Sequence, residues 1–115
     1  MPRSHDGAAT EPLILVVLLF LHADGGDRFE RFESGAASIM SRYGGKIVHR
    51  IAFVAPRDPS VPDELHVVAF PDRAAFDRYR SDADLQALGA LRQRAIARSV
   101  IWEGCEAMPF ATPAA

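Results

Sequence analysis

The stretch Leu13-Ile-Leu-Val-Val-Leu-Leu-Phe-Leu21 limits the fold more than any other, because nine consecutive residues in it are apolar. It is too short to cross a bilayer as a helix, which takes roughly 20 residues. Its Leu, Val and Ile content and its polar, turn-forming flanks predict a strand. A strand with one wet face alternates apolar and polar side chains, and this one does not. Something must cover both of its faces.

A secretion signal would also contain such a run, and Arg3 precedes it. Asp6 and Glu11, however, sit where a basic region belongs, and His22-Ala-Asp-Gly-Gly26 offers no small-x-small cleavage site. The run is therefore read as part of the folded domain, and a cytoplasmic location is expected. The 115 residues suffice for one domain with a real core. A formal net charge of −2 gives no electrostatic reason to expect nucleic acid or a membrane surface as partner. The single cysteine, Cys105, excludes an internal disulfide framework and a Cys-rich zinc site, and suits a reducing compartment.

Residues 1–12 read as a flexible tail, 13–104 as the domain and 105–115 as a second tail. After the apolar strand, Asp24-Gly25-Gly26-Asp27 supplies a turn and a helix start. Phe29, Phe32, Ala36, Ile39 or Met40, and Tyr43 recur at helical spacing, with Arg28, Glu30, Arg31, Glu33 and Arg42 assigned to the solvent side. Gly44-Gly45 stops this helix. Lys46–Val54 and Glu64–Phe70 read as strands around the loop 55–62, whose three prolines cannot donate to a ladder. Asp72 caps a second helix bearing Ala75, Phe76 and Tyr79, which Ser81 and Asp84 restart or kink before the stripe Leu85, Leu88, Leu91 and Ala95. Ser99–Glu103 is the fourth strand.

The order βαββαβ predicts an α+β, ferredoxin-like fold. Right-handed crossovers put two helices on one face of a four-stranded antiparallel sheet in the order 4-1-3-2, with the apolar strand central. The other sheet face would then expose Leu, Val and Phe as a patch larger than a monomer normally tolerates. A second copy packed sheet to sheet covers it, so a homodimeric α/β barrel is expected.

Tyr43-Gly-Gly-Lys-Ile-Val-His-Arg50, Glu64-Leu-His-Val-Val-Ala-Phe-Pro-Asp72 and the helical Ala-Leu-x-x-Leu-Arg segment together resemble the DUF1330-like proteins of the dimeric α/β-barrel superfamily. The resemblance spans about residues 13–104. It implies the same dimeric fold and a relationship to antibiotic-biosynthesis-type monooxygenases, EthD-like proteins and chlorite-dismutase-related folds. It also implies an arginine at the position of Arg50. Family members often carry an acidic residue where this chain has Ala69, so a role for that carboxylate does not carry over.

Among residues that carry chemistry, a hairpin symmetric about the Pro-rich loop would place His49 opposite His66, with His22 near the start of the third strand. Grouped histidines serve as a general base or as metal ligands; alone, they more often sit at sheet ends or line a cavity. Arg50 is always charged and needs water or an anion beside it. Arg50, His49 and His66 are therefore the catalytic candidates, with Arg50 stabilising developing negative charge. Tyr43, Trp102, Arg92 and His22 are the ligand-binding candidates. No phosphate-cradling glycine loop, HExxH, CxxC or nucleophile elbow occurs, and no cofactor or bound metal is expected. The leading expectation is a cofactor-independent enzyme of oxygenase or isomerase type acting on a small, partly hydrophobic molecule. Alternatives are a non-catalytic ligand-binding or accessory homodimer, and a histidine-based metal enzyme.

Overall fold

The order of elements is β1 (Leu13–Leu21), α1 (Gly26–Ser41), β2 (Lys46–Ala52), β3 (Glu64–Phe70), α2 (Arg73–Arg80), α3 (Ala83–Ala87), α4 (Gly89–Ala95) and β4 (Ile96–Gly104). The structure is a computed structural model that describes residues 11–54 and 58–111. Most of the expected N-terminal tail, residues 55–57 of the Pro-rich loop and residues 112–115 lie outside the described residues. The four strands form one antiparallel sheet in the order β2-β3-β1-β4, so the apolar strand is central as its composition requires. This is the ferredoxin-like, α+β arrangement.

Leu15 and Leu19 of β1 are both buried, and each nucleates one half of the core. Around Leu15 gather Met40, Val68, Phe70, Ala75 and Phe76; around Leu19 gather Phe29, Phe32, Ala36, Ala95 and Ile96. Since residues two apart on a strand share a face, all the helices that supply these side chains lie on one side of the sheet. Ile14, Val16, Leu18 and Phe20 point to the other side and stay only half-buried.

The end of α1 follows the expected glycines. Gly44 adopts φ 74°, in the left-handed region, and the Gly45 N–H returns to the Met40 carbonyl at 3.0 Å. A side chain on Gly45 would overlap Phe70 and Met40. The second helical segment restarts after α2, one of the two expected outcomes, and breaks again between α3 and α4, so that the described residues form four helices. Asp72 caps α2 as expected, accepting from the Ala75 N–H at 2.8 Å. The cap of α3 is Asp82 rather than Ser81, because its carboxylate reaches the N–H groups of both Asp84 and Leu85. β4 begins at Ile96, three residues earlier than the pattern suggested, with a register shift beside it between Phe20 and Leu21.

One irregularity decides where the chemistry goes. Lys46 pairs with Ala69 and Ile47 with Val68, but the next partners are His49 with Val67 and Arg50 with His66. Val48 is thus an extra residue in β2, a β-bulge. An uninterrupted ladder continued from Ile47–Val68 would have paired His49 with His66, as the symmetric hairpin predicts. The bulge shifts every later residue by one place and so reverses its face.

Candidate functional site

On the helix side of the sheet, the alternation of β3 aligns Glu64, His66, Val68 and Phe70, all four buried. The bulge brings Arg50 to the same face, directly opposite His66. His49 correspondingly lies on the outer face with Val67, so the expected pairing of His49 with His66 is corrected by one inserted residue.

Arg50 grips Glu64 with two parallel hydrogen bonds, Nε to Oε1 at 2.7 Å and Nη2 to Oε2 at 2.8 Å. Its Nη2 also donates to Glu30 of α1 at 2.6 Å, and its guanidinium lies over the Phe29 ring at 5.8 Å. Burial alone would raise the Glu64 pKa, but the hydrogen bonds from Arg50 and His66 outweigh it and hold the carboxyl below the ordinary range. Glu64 is therefore an acceptor. His66 Nε2 sits 2.8 Å from Glu64 Oε1 and must carry the hydrogen of that bond. This fixes the orientation of the ring and turns Nδ1 towards Glu33 Oε1, 3.7 Å away.

Glu33 is on α1 and its carboxyl is mostly buried. Burial pushes its pKa upward, with Glu64 adding to the rise and His66, Arg50 and Arg92 opposing it. The sequence pattern assigned Glu33 to the solvent side of α1, which was incorrect. It lies four residues after Phe29, three before Ala36 and seven before Met40, spacings that put it on the buried stripe. The period-two alternation of β3 that turns Val68 and Phe70 inward turns Glu64 inward as well.

Glu33 and His66 open onto a cavity of about 330 Å³ between sheet and helices. Leu15, Val17, Phe32, Val68 and Phe70 are among its mostly apolar walls, and Tyr79, Arg80, Gln86 and Arg92 add polar groups. The volume lies at the small end of the range for organic ligands. Burial pushes the Tyr79 hydroxyl up to about 12, so it is a neutral donor at physiological pH. Arg92 extends from α4 and donates through Nη2 to Ser99 Oγ at 2.8 Å.

Of the remaining candidates, Tyr43 donates to Asp82 Oδ2 at 2.5 Å and fastens α1 to the start of α3 rather than lining the cavity. Trp102 is exposed on β4, opposite Val16 of β1. His22 lies beyond the end of β1, where Nε2 contacts the Gln93 carbonyl at 3.1 Å. The three histidines therefore occupy three separate places, and among the described residues no group of three or more His, Cys, Asp or Glu could hold a metal ion. Ala69 is on the outer face opposite Ile14 and is no part of the cavity. Among the described residues no helix is long and apolar enough to cross a membrane.

The family model "Domain of unknown function (DUF1330)" matches residues 16–105. No curated protein matches the chain. Among solved structures, a protein of unknown function from Rhodopseudomonas palustris is similar at 21% identity and TM-score 0.74, over 87% of this chain and 85% of that one. A dabb family protein with a ferredoxin-like fold from Mesorhizobium loti is similar at 20% identity and TM-score 0.59, over 88% and 99% of the two chains. SnoaB of Streptomyces nogalater, a cofactor-independent oxygenase, is similar at 14% identity and TM-score 0.59, over 90% and 99%. At these identities the likeness is one of fold.

Proposed function

The chain belongs to the DUF1330 family, and from that premise we propose a homodimeric, cofactor-independent enzyme that moves a proton on a small, partly apolar molecule. The observation that carries this reading is the orientation of His66. Its Nε2–H is committed to a carboxylate that Arg50 keeps ionised, which leaves Nδ1 facing Glu33 beside an apolar cavity. A ring fixed in this way by a buried acid has a defined proton-accepting nitrogen. Glu33 beside it is a second group able to carry a proton. Together they can take a proton from one carbon and return one to another.

In this reading Arg50 is a positioning residue. Its charge is matched by Glu64 and Glu30, and it acts on the reaction through the orientation of His66. His49, on the outer face, takes no part. Protonation of the resulting carbanion at another carbon yields an isomer, whereas its capture of dioxygen yields a peroxide and from it an oxygenated product, the reaction class in the name of SnoaB. Both begin with the same proton transfer. The exposed, unpaired Cys105 suits a reducing, cytoplasmic setting.

Proton NMR in deuterated buffer tests the proposal on a panel of small aryl ketones and aryl acids. The expected result is exchange at the carbon next to the carbonyl, reduced about 10²-fold or more by His66→Gln and less by Arg50→Met. Oxygen uptake measured alongside separates the two outcomes. Equal exchange by wild type and His66→Gln would overturn the assignment. Binding without exchange would instead identify a ligand-binding homodimer.

A further inference from the structure

Several cations on the helix side of the sheet are paired with carboxylates. Arg50 meets Glu64 and Glu30, Arg42 meets Asp82 and Asp84, Arg73 meets Glu103, and Arg80 meets Asp77 while stacking on Phe76. Of the helix-layer arginines that form no ion pair among the described residues, Arg92 is the one that lines the apolar cavity. Glu33 shares the cavity and feels the Arg92 charge, but it lies beyond ion-pair distance and its own contact is with His66. Ser99 Oγ occupies one guanidinium nitrogen and orients the group without neutralising it.

A guanidinium against apolar walls is costly unless an anion or water completes its shell. Its planar donor fork matches a carboxylate, which it can hold by two parallel hydrogen bonds. Tyr79 supplies a neutral hydroxyl in the same cavity. The other walls of the cavity are mostly hydrocarbon, suited to a carbon skeleton rather than to a free inorganic anion. We infer that the cavity selects small organic acids, with Arg92 clamping the carboxylate and the apolar walls holding the body of the molecule beside His66 and Glu33. This rests on the cavity reading above and adds the class of substrate to it.

The test uses phenylacetate and phenylacetamide, which share a shape and differ in charge, with inorganic phosphate as a bare anion. Calorimetric titration of the full chain at pH 7 is expected to show phenylacetate binding at least 10-fold more tightly than the amide, and phosphate not binding measurably. Arg92→Gln should abolish the preference by weakening the acid at least 10-fold while changing the amide less than 3-fold. Arg92→Lys should keep part of it, and Ser99→Ala, which leaves the charge in place, should weaken the acid a few-fold. Circular dichroism confirms folding of each variant. Equal binding of acid and amide by wild type overturns the substrate class but leaves the cavity reading standing. Failure of both aryl compounds to bind overturns the cavity reading and the inference with it. Phosphate binding as tightly as phenylacetate overturns the organic-acid assignment in favour of a simple anion site.

Discussion

Glu64 holds a buried negative charge in the sheet, and its stability depends on Arg50. Removing one partner of a buried ion pair typically costs about 3–5 kcal/mol. The Arg50 side chain is 46% exposed, so solvent screening reduces the expected loss for Arg50→Met to about 1–2 kcal/mol. Urea denaturation at pH 7 measures it. The Glu64 pKa is depressed in the folded state below its ordinary 4.5, so its contribution is present above that value and lost as pH falls through the depressed one. The deficit of Arg50→Met should therefore be steady from pH 6 to 8 and shrink in acid. Glu33 has the opposite sign. Its folded pKa is raised above 4.5, so its contribution is complete below that value and lost as pH rises through the raised one. Glu33→Gln, a permanent mimic of the protonated form, should match wild type at low pH and melt at a higher temperature at pH 8. A flat difference in melting temperature across that range would contradict the burial of Glu33. At this scale the sequence named His66, Arg50 and Arg92 but overlooked Glu33 and Glu64. Both acids stood on buried positions by their spacing, and both were passed over because their residue type suggests solvent.

The three helices that follow β3 show how small polar side chains divide a segment that the apolar pattern alone reads as nearly continuous. Asp72 satisfies one otherwise unpaired N–H at the start of α2, and its loss in Asp72→Ala should cost about 1 kcal/mol. Asp82 has more partners: two backbone N–H groups of α3, the Tyr43 hydroxyl and Arg42. The Tyr43 hydrogen bond, above all, holds its pKa below the ordinary carboxylate range. Asp82→Ala is expected to destabilise more than Asp72→Ala by urea midpoint, with Tyr43→Phe in between. Because Leu85 and Gln86 of α3 line the cavity, Asp82→Ala should also weaken phenylacetate binding. The strands were legible for a different reason. β1 and β3 declare themselves by composition and alternation, and the order of elements then restricts the topology. The bulge at Val48 was not legible, since nothing in Lys46-Ile-Val-His-Arg50 marks one residue as extra. That single place decides whether His49 or Arg50 faces His66.

For the whole molecule, the outer sheet face is the unresolved half of the problem that β1 poses. Helices cover Leu15 and Leu19, but Ile14, Val16, Leu18 and Phe20 lie opposite, and Val48, Ile51, Phe53 and Trp102 extend the apolar surface at 42–60% exposure. Four strands about 4.8 Å apart and about seven residues at 3.4 Å give a face of roughly 19 by 24 Å. Single exposed apolar residues are ordinary, whereas a contiguous face of that size normally marks an interface. Its few polar groups sit at the margins: Lys46 and His49 on β2, and Arg98, whose guanidinium lies 3.8 Å from the centre of the Phe20 ring. A second copy is the occupant that this pattern favours, because an isologous contact pairs the same apolar centre with itself and leaves marginal charges outside. Light scattering is expected to give twice the 12.6 kDa mass of one chain at micromolar concentration. Val16→Asp places a charge at the centre of the face without touching the helix-side core. It should therefore yield a folded monomer, or a much weaker dimer, with unchanged helix content by circular dichroism. Arg98→Glu, at the margin, should leave the dimer largely intact. A wild-type chain that stays monomeric would remove the homodimer and leave the apolar centre of the sheet to a different partner, while the Glu33–His66 cavity, built wholly within one chain, would be unaffected.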